Sequence, residues 1–117
     1  MIVVKKEVNK DSEIIEIENN FRIYQKIVGG YFETLPLGNN ILAVINEDGL
    51  NINLPYNFSV KRDNYMVQPI VGNAVFVSFN GEDDFTSLND EQLVLLKEMK
   101  LLKEETLNNY TNNKTVK

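Results

Sequence analysis

The stretch Ala74-Val75-Phe76-Val77-Ser78-Phe79 decides the fold. It is short, almost wholly apolar and rich in β-branched and aromatic residues, which is typical of a buried strand. A second apolar run, Ile41-Leu42-Ala43-Val44-Ile45, lies between the turn signals Gly38-Asn39-Asn40 and Asn46-Glu47-Asp48-Gly49. The two runs predict the central strands of a sheet, and the other elements are placed around them.

The segments before Ile41 predict further strands and one short helix. Residues 2–4, 13–18 and 31–37 have strand patterns, and Pro36 confines the last of these to a sheet edge or a strand end. Asn19-Asn20 can cap a helix, and Gly29-Gly30 can end it because glycine tolerates a left-handed backbone. The predicted buried face of this helix carries Phe21, Tyr24, Ile27 and Val28.

The segments between the two central strands are less regular. Leu50, Ile52 and Leu54 alternate with asparagines, which predicts a strand with one face in water. Residues 55–66 mix Pro, Asn, Asp and aromatic residues and predict a loop or an irregular edge. Residues 67–71 predict a short strand, and Gly72-Asn73 predicts a turn or bulge.

A long helix is predicted after the last strand. Asn89 fits the N-cap and Gln92 completes a capping box, with Asp90 and Glu91 at the positive end of the helix dipole. The helix is expected to run from Asp90 to about Asn108. The whole pattern predicts an α+β fold, an antiparallel or mixed sheet of about five to six strands with one short and one long C-terminal helix. Residues 1–108 would form a single domain and 109–117 a flexible polar tail.

Composition narrows the classes of function. The 117 residues include no cysteine and no histidine, which excludes disulfides, thiolate zinc sites and Ser-His-Asp triads. We therefore expect a protein that is not an enzyme and holds no cofactor. A net charge of −5 opposes direct binding of nucleic acid. The sequence shows neither a signal peptide nor a membrane span, which favours a cytoplasmic protein with no membrane partner.

Three groups of residues are candidates for binding. Apolar residues in excess of one helix stripe suggest contact with a target protein or with a second copy of the chain; the alternative is a deep core. The acidic run Glu82-Asp83-Asp84 could face a basic partner, hold Mg²⁺ or Ca²⁺, or form a solvated turn. The candidate helix residues are Val94, Leu95, Met99, Leu101 and Leu102.

The third group, Lys61, Arg62 and Tyr65, interleaves basic and aromatic side chains. Such residues could stack on a nucleotide base and pair with its phosphates, or the aromatic rings could pack into the core.

Several short stretches, in this order, resemble a known family. They are Ile27-Val28-Gly29-Gly30, Asn46-Glu47-Asp48-Gly49, Leu54-Pro55-Tyr56-Asn57, Ile70-Val71-Gly72 and Asp84-Phe85-Thr86-Ser87-Leu88. The set resembles the domain-of-unknown-function family DUF3846. The resemblance implies a small cytoplasmic protein carried by bacterial phages, plasmids or other mobile elements, and it implies no catalytic motif.

These observations lead to two hypotheses of function. The first is a mobile-element accessory protein that binds and inhibits a host protein, for example a defence nuclease with a basic surface in an antiphage system such as CRISPR–Cas. The C-terminal helix would carry target contact or homo-oligomer formation. The alternative is a protein that binds or sequesters a small ligand such as a signalling nucleotide.

Overall fold

The computed structural model describes residues 1–61, 66–82 and 84–115. Its elements along the chain are β1 (Ile2–Lys6), β2 (Glu13–Glu16), α1 (Phe21–Val28), β3 (Phe32–Gly38), β4 (Ile41–Asn46), β5 (Tyr56–Lys61), β6 (Val67–Val71), β7 (Ala74–Phe79), β8 (Phe85–Thr86), α2 (Asp90–Glu98) and α3 (Glu104–Thr115). The predicted α+β class is confirmed.

The main sheet is antiparallel and has six strands. Its order is β2-β1-β7-β4-β3, and the short β8 pairs with β7 beside β1. The apolar strand β7 is central, as predicted, and β4 lies between β7 and β3. Cross-strand pairing places Val4, Phe76, Ala43 and Leu35 in one row on the same face. These four residues are buried, so this face of the sheet is apolar.

Different elements cover the two faces. Helix α1 packs on the face that carries Val3, Val44, Val75 and Val77. The opposite face is covered by α2, α3 and the separate two-stranded sheet of β5 and β6, whose Phe58 ring lies 5.5 Å from that of Phe76. The fold is therefore a sheet between two layers.

Helix α1 begins and ends where its sequence predicts. The Asn20 side chain accepts a hydrogen bond from the Arg22 N–H at 2.9 Å, and Gly29 ends the helix with a φ of 81°. Tyr24 and Val28 are buried as expected. Phe21 is not, because it remains 61% exposed at the first helical position.

The single long C-terminal helix is a wrong prediction, because the chain forms α2 and α3 with a reversal between them. Lys100 has a φ of 64°, and the Leu101 N–H donates to the Leu96 carbonyl at 2.9 Å. At about 100° per residue, an unbroken helix would place Leu102 roughly on the opposite side from Leu93, which is buried against the sheet. The reversal buries both Leu101 and Leu102, and the Ser12 hydroxyl donates to the Leu101 carbonyl at 2.6 Å.

Three further assignments differ from the sequence prediction. Residues 47–53 form consecutive turns instead of a strand, and residues 56–61 form β5 where a loop was expected. Residues 109–115 continue α3, so the described part of the predicted polar tail is helical. In β5 the buried Phe58 and Val60 alternate with polar residues, which is the period of a half-buried strand.

Candidate binding surfaces

The predicted helix surface is divided by the break between α2 and α3. Val94 and Met99 are exposed and Leu95 is half-buried. Leu101 and Leu102 belong to the core, so they do not form a contact surface. Burial therefore explains most of the apolar excess in this region, as the deep-core alternative predicts.

A cleft of about 750 Å³ runs between the end of β3, strand β5 and the break after α2. It brings together Lys61 and Met99, which the sequence assigned to separate hypotheses. Lys100 and Glu98 also line it. Neither Lys61 nor Lys100 forms an ion pair within the described part of the chain. Arg62 and Tyr65 lie outside the described residues.

The acidic turn connects β7 to β8. Glu82 and Asp84 are exposed, and Asp83 lies outside the described residues. The Asp84 carboxylate accepts a hydrogen bond from Asn19 Nδ2 at 2.8 Å. Asp84 is therefore fixed beside the loop that leads into α1. In residues 1–61, 66–82 and 84–115, no three acidic side chains come together as a metal site.

Next to Asp84 lies a small pocket of about 310 Å³, here called the aromatic pocket. Asn19 donates to Asp84 and accepts a hydrogen bond from the Tyr24 hydroxyl at 3.1 Å. Burial, and after it the charge of Asp84, raises the pKa of Tyr24 to about 12. The Tyr24 phenol is thus neutral at physiological pH. The pocket is lined by Asn19, Phe21, Tyr24, Phe32, Asp84 and Phe85.

Residues 47–53, here called the apolar loop, present two large apolar side chains to water. Leu50 is 70% exposed and Ile52 is 55% exposed. The sequence prediction missed them because their alternation with asparagines matches a half-buried strand. An exposed apolar pair in a turn has no local signal that separates it from such a strand.

Hydrogen bonds fix the backbone that carries these side chains. The Ile52 N–H donates to the Asp48 carbonyl at 3.0 Å, and the Leu54 N–H donates to the Gly49 carbonyl at 3.0 Å. At the base, buried Asn46 accepts from the Asp48 N–H at 2.8 Å and donates to the Val28 carbonyl at 3.1 Å. The loop is therefore bound to the C-terminal end of α1.

Comparison with known proteins identifies the family. The model of DUF3846, described as a domain of unknown function, matches residues 1–103. This chain belongs to the DUF3846 family. No curated protein and no solved structure matches this chain. The matched region ends one residue before α3, so this helix lies outside the DUF3846 match.

Four of the five stretches that resemble DUF3846 meet around the apolar loop. The Asn46 side chain joins the loop to the end of α1, as described above. A methyl group added to Gly49 would lie 2.9 Å from Val71, and one added to Gly72 would lie 2.7 Å from Leu54. The DUF3846-like stretches thus form a close-packed support for Leu50 and Ile52. The fifth stretch lies apart, at β8 and the residues just before α2.

A side chain from the same support joins the two sheets. Asn57 Nδ2 donates to the Lys6 carbonyl at 2.9 Å and to the Gly72 carbonyl at 2.8 Å. The small sheet is therefore tied to β1 and to the turn before β7.

In the described part of the chain, no helix has the length and apolar character needed to cross a membrane.

Proposed function

We propose that this DUF3846 protein is not an enzyme and acts by binding another protein through the apolar loop. The observation that carries the proposal is the exposure of Leu50 and Ile52 on a backbone held by hydrogen bonds at both ends. A fixed backbone lowers the entropy lost on binding, since the contact residues are already in place. Large apolar side chains on such a support favour a protein partner.

The exposed surface sets the scale of the interaction. Complete burial of a fully exposed Leu or Ile side chain stabilises a complex by about 1.5–3 kcal/mol. At 70% and 55% exposure the two side chains together offer about 2–4 kcal/mol. Loss of that contact would raise the Kd of the complex by about 30- to 700-fold.

A matched pair of variants tests this contact. Leu50→Ser combined with Ile52→Ser should abolish capture of the partner from a bacterial lysate. The control is Val67→Thr, because Val67 is 58% exposed but lies at the far end of the β5–β6 pair, opposite Lys61. Equal capture by the double variant and the wild type would refute the proposal.

The proposed partner is a host protein that the DUF3846 protein inhibits, for example a component of an antiphage defence system such as CRISPR–Cas. The small size, the charge of −5 and the mobile-element context that the family resemblance implies support this proposal. Expression in a bacterium with an active defence system should raise the plating efficiency of a targeted phage. An unchanged plating efficiency across defence systems would count against inhibition but would leave protein binding to be tested by capture.

The cleft favours a second candidate function, capture of a small anionic ligand such as a nucleotide. Lys61 and Lys100 line it and form no ion pair with described residues. A ligand at a hundredfold its Kd should stabilise the fold by about 2.7 kcal/mol. A nucleotide panel that leaves the melting temperature of the wild type unchanged would refute this candidate. A stabilising nucleotide should lose its effect when both lysines are replaced by methionine.

A further inference from the structure

The aromatic pocket has walls of aromatic rings set at large angles to one another. The ring centroids of Phe21 and Phe32 are 5.3 Å apart and those of Tyr24 and Phe85 are 5.3 Å apart. Phe32 lies 6.3 Å from Phe85, with 47° between the ring planes. Tyr24 is buried, and Phe21 is 61% exposed at the entrance. The rings thus pack against one another as one aromatic cluster, and the pocket lies along this cluster beside Asn19 and Asp84.

The charges around the aromatic pocket determine which kind of ligand it could bind. The faces of aromatic rings carry negative electrostatic potential and attract cations. The Asp84 carboxylate lies on the same wall, held in place by Asn19, and has no ion-pair partner among the described residues. Within the described chain, no Lys or Arg lines the pocket. A cation from outside the chain would therefore meet both aromatic rings and a negative charge.

The neighbouring surface is also acidic. A shallower depression shares Asn19 and Phe85 with the aromatic pocket and is lined by Glu16 and Glu18. The Met1 ammonium group lies there too and donates to the Ile17 carbonyl at 2.9 Å. Its single positive charge is outnumbered by the carboxylates of Glu16, Glu18 and Asp84. An anion would be repelled from this side of the molecule, and a basic segment would be attracted to it.

We propose that the aromatic pocket binds the cationic end of an arginine or lysine side chain from a protein partner. A free small molecule usually buries most of its surface in its site, and this pocket is open at Phe21 and Asp84. A side chain on a partner avoids that requirement, because contacts around the pocket supply the remaining affinity. The inference rests on the proposed function only in that the partner is a protein. It concerns a different surface from the apolar loop.

The direct test uses short blocked peptides, so it does not require the partner. The probes are acetyl-Gly-Arg-Gly-amide and acetyl-Gly-Lys-Gly-amide, with norleucine and glutamate peptides as neutral and anionic controls. NMR resonances of the phenylalanine and tyrosine rings are followed during each titration. The Arg or Lys peptide should shift the rings of Phe21, Phe32 and Phe85 and should bind more tightly than both controls. Equal shifts with the norleucine peptide would overturn the proposal.

Two variants at exposed positions separate binding from folding. Phe21→Leu keeps an apolar side chain but removes a ring, and it should weaken binding of the basic peptide about two- to five-fold. Asp84→Asn removes the charge and should weaken it by a similar factor, with a smaller dependence on salt. Glu91→Gln in α2 is the control carboxylate, since Glu91 does not line the pocket. Affinities unchanged in both pocket variants would refute the assigned site.

The outcomes also separate this inference from the proposed function. If the basic peptides bind but capture of the partner does not depend on Leu50 and Ile52, the pocket proposal is supported and binding through the apolar loop is refuted. If capture depends on the apolar loop but the protein shows no preference for basic peptides, the proposed function is supported and the pocket proposal is refuted.

Discussion

Replacing Gln92 by methionine removes a buried side chain that joins three elements. Gln92 is 5% exposed, and its Oε1 accepts a hydrogen bond from the Asn89 N–H at 3.0 Å. Its Nε2 donates to Ser78 Oγ and to the Asn39 carbonyl, each at 2.9 Å. The side chain thus closes the capping box of α2 and binds that helix to β7 and to the turn between β3 and β4.

The structure sets the size of the expected loss. Each of the three hydrogen bonds contributes about 1 kcal/mol net to folding stability. Methionine buries more apolar surface than glutamine, which offsets about 1 kcal/mol. The backbone bond from the Gln92 N–H to Asn89 Oδ1 remains in the variant. We expect Gln92→Met to lower the free energy of unfolding by about 2 kcal/mol.

Urea unfolding of the wild type and the variant measures this difference. The urea concentration at the unfolding midpoint should fall. The slope of the free energy of unfolding against urea should stay the same, because the surface that becomes exposed on unfolding does not change. Gln25→Met is the matched control, since the Gln25 side chain bonds to no described residue and its loss should have little effect. A loss below about 0.5 kcal/mol in Gln92→Met, the scatter of ordinary surface substitutions, would refute the reasoning.

Substitutions at Tyr24, Gly72 and Leu107 test other parts of the fold. Because the pKa of Tyr24 is raised to about 12 from its ordinary value of 10.0, the contribution of Tyr24 to stability should be constant below pH about 10 and should be lost as pH rises from there towards 12. In urea unfolding, Tyr24→Phe should therefore lose less stability over this pH range than the wild type, and an equal loss would contradict the assignment. Gly72→Ala should destabilise by about 2–3 kcal/mol in the same assay, since φ is 76° and the new methyl group would meet Leu54; a loss below about 0.5 kcal/mol would exclude the clash. Leu107→Ala should lower the melting temperature through loss of about 2–4 kcal/mol, because Leu107 anchors α3 in the core, and an unchanged melting temperature would show that α3 is not anchored there.

Elements with strong local signals could be predicted from the sequence. Strands β4 and β7 are continuous apolar runs that are buried on both faces of the sheet. Helix α1 has its cap at Asn20 and its end at Gly29, and the capping box of α2 forms as predicted between Asn89 and Gln92. In each case the information lies within a few residues of the chain.

Elements that depend on tertiary packing could not be predicted. Nothing at Lys100 marks the end of a helix, and the break follows from the burial of Leu101 and Leu102 on the sheet. The alternating pattern at Leu50 and Ile52 is that of a strand, yet the loop is held by the Asn46 side chain and by the close approach of Gly49 to Val71. The spacing of apolar residues cannot distinguish an unbroken helix from a broken one, or a strand from a turn, because it does not show which surface each residue packs against.

The same limit applies to the candidate sites. The aromatic pocket combines residues from α1, β3 and β8 that are far apart in sequence. Asp84 was a candidate from its charge alone, but the rings beside it carry no shared motif. The cleft that contains Lys61 and Met99 depends on the unpredicted break after α2. Charge and exposure could be anticipated, whereas the assembly of each site required the fold.

The most direct test of protein binding through the apolar loop is quantitative mass spectrometry of proteins captured from a bacterial lysate. Wild type, Val67→Thr and the Leu50→Ser/Ile52→Ser double variant are immobilised in equal amounts, after circular dichroism shows that all three are folded. We predict one protein retained equally by the first two and depleted by at least about 30-fold on the double variant. The same protein retained equally on all three, or no protein retained above background by the wild type, would contradict the account.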